Sequence, residues 1–329
     1  MNKLFFKSKN PVLITGCYRS GTEYFTLLLN NHPTLSASMY TTNFMRYYYK
    51  REKYMPLEKK YTSLIDDAYN TIKLRHGIEI EKEYIKTYIM SGPITFARIY
   101  DAIMSSIYLK DGKTRWAEKI QLVWRQIPEF LWDFHGSKVI VIIRDPRSVL
   151  ASFKKHTYAP DPLYLGAIFN CFDLMSYALI YETMFPERFK VVKFEDLLEN
   201  TEEVMTDVFD FLGLCHDHDI TSTKGWKNTD GSPWVHNSSF TKEGEKYDKS
   251  KAFTRWKDYL EDWEISMCEE VAGEYMRLHG YDMTGEETPW RDKIDDPTVE
   301  RYIDEWERGF GIEEFPTDPL DPKNWSENR

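Results

Sequence analysis

The chain has 329 residues, of which 42% are hydrophobic and 16% aromatic. That is enough to bury one large core, and no Gly/Ser-rich or Pro-rich linker divides it. Its formal net charge of -10 argues against nucleic acid or an anionic membrane as partner, because broad phosphate recognition needs a basic face.

Taken in chain order, an apolar strand is expected over 11–15, followed by Gly16-Cys17-Tyr18-Arg19-Ser20-Gly21-Thr22 and a helix over 23–31 that Asn30, Asn31 and Pro33 punctuate. A strand feeding a glycine-bounded turn into a helix start gathers backbone N–H groups and the positive end of a helix dipole at one point, which is a cradle for phosphate or sulfate. Gly16 and Gly21 keep the four-residue gap of a Walker-type loop, but Thr22-Glu23 stands where Lys-Ser/Thr is required, and the cation has moved inside the loop to Arg19. Nucleotide binding is retained, whereas Mg²⁺-dependent ATP hydrolysis is disfavoured. Residues 40–90, rich in Tyr, Lys and Glu, predict two or three helices, and 96–109 a further one. A turn at Asp111-Gly112, an extended piece over 115–120 and an amphipathic helix over 122–134 follow.

The β-branched run over 138–143 has the pattern of a strand buried on both faces of a parallel sheet. Asp145-Pro146 then supplies a cap and a first-turn proline. The run over 189–194 repeats that rhythm, and helices are predicted near 164–184, 201–213, 262–279 and 297–308. Strand alternating with helix gives an α/β fold, three layers in an α/β/α arrangement with a central parallel sheet. The expected organisation is a body over 1–284, with a helical acceptor-side cover at about 40–110, and an acidic extension over 285–329 in which Trp290, Trp306 and Trp325 act as a strap.

Residues 1–10 lack the apolar stretch of a secretory signal, and no apolar run approaches the roughly 20 residues that span a bilayer. Cys17, Cys171, Cys215 and Cys268 show no paired short spacing, which argues against a zinc site or a disulfide framework. The expectation is a cytoplasmic protein with reduced thiols and no metal.

A second basic site follows the central strand. Arg144 falls at the carboxyl end of a parallel strand, where open α/β sheets bind ligands, and Ser152 lies about two helical turns beyond. With these residues in place the chain resembles the sulfotransferases that use 3′-phosphoadenosine 5′-phosphosulfate (PAPS). The likeness runs from Pro11 to about Tyr281. Gly-x-x-Arg-Ser-Gly-Thr resembles the family's 5′-phosphosulfate loop, and Arg144 with Ser152 resembles its 3′-phosphate pair. Phe194-Glu195-Asp196-Leu197-Leu198, Phe211-Leu212-Gly213-Leu214 and Arg255-Trp256-Lys257-Asp258-Tyr259-Leu260 resemble further family stretches in the same order.

The resemblance implies a P-loop NTPase-like sulfotransferase fold and transfer of a sulfuryl group from PAPS to a hydroxyl. The acceptor would be a small metabolite, glycolipid precursor or oligosaccharide, and adenosine 3′,5′-bisphosphate (PAP) would be left without need of a metal. Tyr18, Arg19, Ser20, Gly21, Thr22 and Glu23 would form the loop site, and Tyr24 would take the place of an aromatic that stacks on adenine. Lys251 and Arg255, with Ser238 and Ser239, would resemble the segment that folds over the 3′-phosphate. Lys119 resembles a lysine that approaches the transferred group. Where cytosolic members carry a histidine base, this chain has Gln121, so Glu118, His156 and Glu23 are the candidates for the acceptor's proton, with Glu118 named first. Strand alternation would turn Glu118 away if Lys119 points in. Two rival readings are an ATP-dependent P-loop kinase and a catalytically inactive PAPS- or PAP-binding protein.

Overall fold

The structure is a computed structural model that describes residues 8, 10–39, 42–156, 162–215, 219–226, 234 and 250–310. Five strands, β1 (Val12–Gly16), β2 (Leu35–Met39), β3 (Arg115–Lys119), β4 (Lys138–Ile143) and β5 (Phe189–Lys193), form one sheet in the order β2-β3-β1-β4-β5. Every neighbouring pair is parallel, with Ile14 beside Lys119 and Gly16 beside Ile142, so the carboxyl ends of β1, β3 and β4 open at one edge.

Helices α1 (Thr22–Leu29), α2 (Phe44–Tyr47), α3 (Leu57–His76), α4 (Lys82–Met90), α5 (Phe96–Tyr108), α6 (Ile127–Asp133) and α7 (Pro146–His156) flank the first four strands in sequence. They are followed by α8 (Gly166–Met184), α9 (Phe194–Glu199), α10 (Thr201–Leu212), α11 (Trp256–Tyr259), α12 (Asp262–Leu278) and α13 (Pro297–Glu307). Strand alternation sends Leu13, Val139 and Val141 to one face of the sheet and Val12, Ile14, Ile140 and Ile142 to the other, so each face carries its own apolar core. This is the three-layer α/β/α arrangement expected from the alternating pattern.

The edge strand β2 was not anticipated. Its sequence, Leu-Ser-Ala-Ser-Met, carries no β-branched residue, and it pairs with β3 alone. The expectation that no apolar stretch reaches bilayer length is also corrected. Leu163–Met184 is long and apolar enough by composition, and 67% of its apolar window is buried inside the fold, where α12 and β5 pack against α8. It is a core helix. The described part of the acidic extension packs on the body: Trp290 is buried and donates to Glu270 Oε2 at 2.6 Å, and Tyr302 lies 5.9 Å from the ring of Phe169. Trp325 lies outside the described residues.

The start of α7 is held as its sequence foretold. Asp145 Oδ1 accepts from the backbone N–H of Arg147 at 2.9 Å, and the Arg147 side chain returns to Asp145 Oδ2 at 2.7 Å. Arg147 also donates to Glu269 Oε1 at 2.7 Å and to the carbonyl of Asp282 at 2.9 Å. Because all three charged groups are buried, this arginine fixes α7 against α12 at the end of the sheet where β4 delivers Arg144. The four cysteines are free thiols, with Cys17 and Cys171 buried and their sulfurs 3.8 Å apart.

Candidate active site

The loop after β1 uses backbone conformations that few residues accept. A Cβ on Gly16 would lie 2.6 Å from the carbonyl oxygen of Ile142. Gly21 has φ 86°, and a Cβ there would sit 2.0 Å from the ring of Phe194. Between them Arg19 adopts φ 65°, in the left-handed region, and Ser20 donates to the carbonyl of Cys17 from its hydroxyl at 2.7 Å and from its backbone at 3.4 Å. The result is a tight curl that presents the start of α1, whose cap residue is Gly21 and which no side chain caps.

Three of the sequence-selected residues meet at this curl. Arg19 Nε donates to Ser152 Oγ at 3.0 Å, joining the loop to α7. Arg144 Nη1 donates to the carbonyl of Arg19 at 2.8 Å, and its guanidinium lies 4.8 Å from the ring centre of Phe194. Arg144 Nη2 reaches the carbonyl of Ala252 at 3.0 Å, which brings the 250–256 segment to the same edge. Lys251 on that segment is exposed and Arg255 half-buried. Ser238 and Ser239 lie outside the described residues. The family resemblance implied that Arg19 serves the sulfate end and Ser152 the 3′-phosphate end, and the two side chains are in direct contact.

β3 supplies the other wall. Lys119 is fully buried, and burial pushes its pKa from the ordinary 10.5 down to about 7; Glu23 draws it up and Arg19 repels it further down. Those two influences tie Lys119 electrostatically to the loop and to the first turn of α1.

Glu118, named first for the acceptor's proton, is fully buried and held by four hydrogen-bond donors. It accepts from the backbone N–H groups of Thr42 and Asn43 at 2.8 and 2.9 Å, from the Thr42 hydroxyl at 2.8 Å, and from the Tyr100 hydroxyl. Burial raises its pKa, and these donors oppose that rise. The carboxylate fixes the chain after β2, on the opposite side of β3 from Lys119. His156 closes α7, and its side chain lies outside the described residues.

Gln121, which takes the place of a histidine, donates from Nε2 to Thr22 Oγ1 at 3.2 Å and so braces the loop. Tyr18 is buried, and its hydroxyl accepts from Arg46 Nη1 at 3.2 Å. On the far side of α1, Tyr24 meets Trp226 edge to face at 5.7 Å and Trp234 at 6.4 Å, and the two indoles lie 5.2 Å apart. Trp226 Nε1 donates to Asn31 Oδ1 at 3.0 Å, whereas the buried Nε1 of Trp234 has no partner among the described residues. His32 is a structural residue, its Nε2 2.8 Å from the carbonyl of Cys215.

Sequence reasoning missed Arg46, Trp226 and Trp234. The tryptophans stand in a stretch otherwise dominated by polar residues, which is a usable signal, whereas nothing in the sequence separates Arg46 from its neighbours Lys50 and Arg51. Among the described residues no cluster of His, Cys, Asp and Glu suits a metal ion.

Residues 11–218, well over half of the chain, match the sequence model of the sulfotransferase family. Two solved structures share the fold. The sulfotransferase domain of the olefin synthase of Synechococcus PCC 7002 has a TM-score of 0.57 at 16% identity, the match covering 84% of this chain and 96% of that one. The sulfotransferase domain from the curacin biosynthetic pathway has a TM-score of 0.54 at 15% identity, covering 84% of this chain and 100% of the other. No curated protein matches the chain in sequence.

Proposed function

The chain belongs to the sulfotransferase family and is a sulfotransferase; on that premise we propose that its donor is PAPS and its acceptor a hydroxyl of a small metabolite, glycolipid precursor or oligosaccharide. The observation that carries the donor assignment is the meeting of Arg19, Arg144 and Ser152 at the carboxyl edge of β1 and β4, where Arg19 lies 3.0 Å from the Ser152 hydroxyl. Two guanidinium groups, a hydroxyl and a glycine-bounded curl suit a ligand with more than one oxyanion group.

In this reading Arg144 and Ser152 hold the 3′-phosphate, with Lys251 and Arg255 closing over it. The loop Tyr18 to Thr22 holds the 5′-phosphosulfate, and Tyr24 with Trp226 and Trp234 receives the adenine. The donor supplies an activated sulfuryl group: its sulfur gains a bond to the acceptor oxygen as the bond to the 5′-phosphate oxygen breaks, and the phosphate leaves with the electron pair. Arg19 and Lys119 neutralise charge on that leaving oxygen, the main work in such transfers. A bound phosphosulfate restores the proton that burial weakens on Lys119. Glu23, electrostatically tied to Lys119 and placed on the first turn of α1, receives the acceptor's proton. A cytoplasmic location is part of the same proposal, and four free cysteines support it.

Incubation of the full chain with ³⁵S-labelled PAPS, EDTA and a panel of phenols, alcohols and sugars tests the assignment. Label should pass to at least one hydroxyl with release of PAP. Transfer that requires ATP and Mg²⁺ in place of PAPS would overturn it.

A further inference from the structure

We propose that Cys17 and Cys171 form a redox switch on the donor site: a peroxide joins them in a disulfide that distorts the curl after β1 and lowers its affinity for the nucleotide. The inference rests on the donor reading and adds a regulation of that same site. The Cys171 thiol donates to the Cys17 sulfur at 3.8 Å, and each residue is 2% exposed. Cys17 opens the curl directly after Gly16, whereas Cys171 lies on α8, the core helix packed against α12 and β5. A void too small for a water molecule borders both sulfurs together with Ser20 and Arg144, so the sulfurs have room to approach. A disulfide bond is about 2.0 Å long, which requires them to close by about 1.8 Å. The core helix is the fixed partner, and the movement falls on Cys17. Its carbonyl is the one that receives the Ser20 hydroxyl at 2.7 Å and the Ser20 backbone N–H at 3.4 Å, the bonds that shape the curl beside Arg19.

Cys17 is the residue that meets the oxidant. Its sulfur accepts the hydrogen bond from Cys171, and that bond together with burial holds the Cys171 thiol well above its ordinary pKa, so Cys171 keeps its proton. The Cys17 thiolate attacks one oxygen of hydrogen peroxide, the O–O bond breaks, and a sulfenic acid and one water result. The Cys171 sulfur then attacks the Cys17 sulfur. The S–O bond breaks, the hydroxyl leaves with the Cys171 proton as a second water, and the S–S bond forms. Two electrons and two protons pass from the thiols to one peroxide. Because both sulfurs are buried, peroxide reaches them when the curl opens, which a bound nucleotide opposes. Arg144 favours negative charge on Cys171, and a nucleotide phosphate on that guanidinium cancels the effect. Nucleotide and bridge therefore disfavour each other reciprocally.

The test is calorimetry with PAP and peptide mapping of the full chain, reduced and after hydrogen peroxide, with remaining thiols alkylated in denaturant before mapping. Peroxide should join Cys17 to Cys171 and weaken PAP binding at least about tenfold, dithiothreitol should restore it, and saturating PAP should slow the bridge. Cys171→Ala and Cys171→Ser should bind PAP as reduced wild type does and keep that affinity through peroxide, which separates the bridge from oxidation of the exposed Cys215. Absence of a Cys17–Cys171 bridge, a bridge from Cys171 to Cys268 in its place, or a bridge that leaves PAP affinity unchanged overturns the switch alone. So does an equal loss of affinity in the Cys171 variants. A reduced wild type that does not bind PAP overturns the donor reading, and this inference with it.

Discussion

Replacing Lys119 by Met should stabilise the protein, and the gain should depend on pH in a direction fixed by the burial of the amine. In the unfolded chain the lysine titrates at its ordinary 10.5, whereas burial in the folded chain lowers this to about 7. Between those values the unfolded state binds more protons, so wild-type stability rises with pH across the window and is lost as pH falls toward 7. With about 1.4 kcal/mol for each tenfold change, holding the lysine in the ligand-free site costs about 4 kcal/mol at pH 7 and about 1 kcal/mol at pH 9.5. Met keeps the length and the apolar stem and titrates at neither pH, so any packing difference it introduces is the same at both. Urea unfolding of wild type and Lys119→Met at pH 7.0 and 9.5 should therefore show the variant's advantage shrinking by about 3 kcal/mol at the higher pH. The variant should also have lost sulfuryl transfer. A difference in stability that does not change with pH would refute the account of Lys119 as a buried amine with a weakened proton.

Two further substitutions probe the loop and the Glu118 carboxylate. Gly21→Ala forces a Cβ into the ring of Phe194 at a backbone φ of 86°, so it should destabilise the fold by about 1–3 kcal/mol and weaken PAP binding in calorimetry, with partial recovery in the double variant with Phe194→Ala. Glu118→Gln leaves donors from Thr42, Asn43 and Tyr100 competing for a single amide oxygen. Denaturation should show a loss of about 1–3 kcal/mol with the pH dependence of kcat unchanged, whereas a stable variant with kcat down a hundredfold would return Glu118 to the chemistry.

The legible parts of this chain are those in which one local pattern has one physical solution. The β-branched run of β4 and the apolar run of β1 fit only strands buried on both faces, and Asp145-Pro146 fits only a helix start. The curl at Gly16 to Thr22 was legible because two glycines at that spacing, between a strand and a helix, have few other uses. β2 was not legible, since Leu-Ser-Ala-Ser-Met has little strand preference and is extended only because β3 offers it a partner. Arg144 and Ser152 were recognised by residue type and spacing, but their contact with Arg19 arises where β1, β4 and α7 converge, which no local pattern encodes. Glu118 and Lys119 illustrate the limit most directly. Adjacent residues on a strand face opposite sides, so only one of the pair belongs to the loop, and the surrounding donors decide which. Tyr24, Trp226 and Trp234 each stand out in the sequence, but their meeting joins segments some 200 residues apart and was not legible for the same reason.

If the edge holding Arg19, Arg144 and Ser152 binds a nucleotide with phosphate at both ends of its ribose, calorimetric titration of the full chain with PAP and with ATP, on wild type and on Arg144→Ala, should show it. Wild type should bind PAP at least about tenfold more tightly than ATP, and Arg144→Ala should remove most of that advantage. Equal or tighter binding of ATP, unaffected by Arg144→Ala, would contradict it.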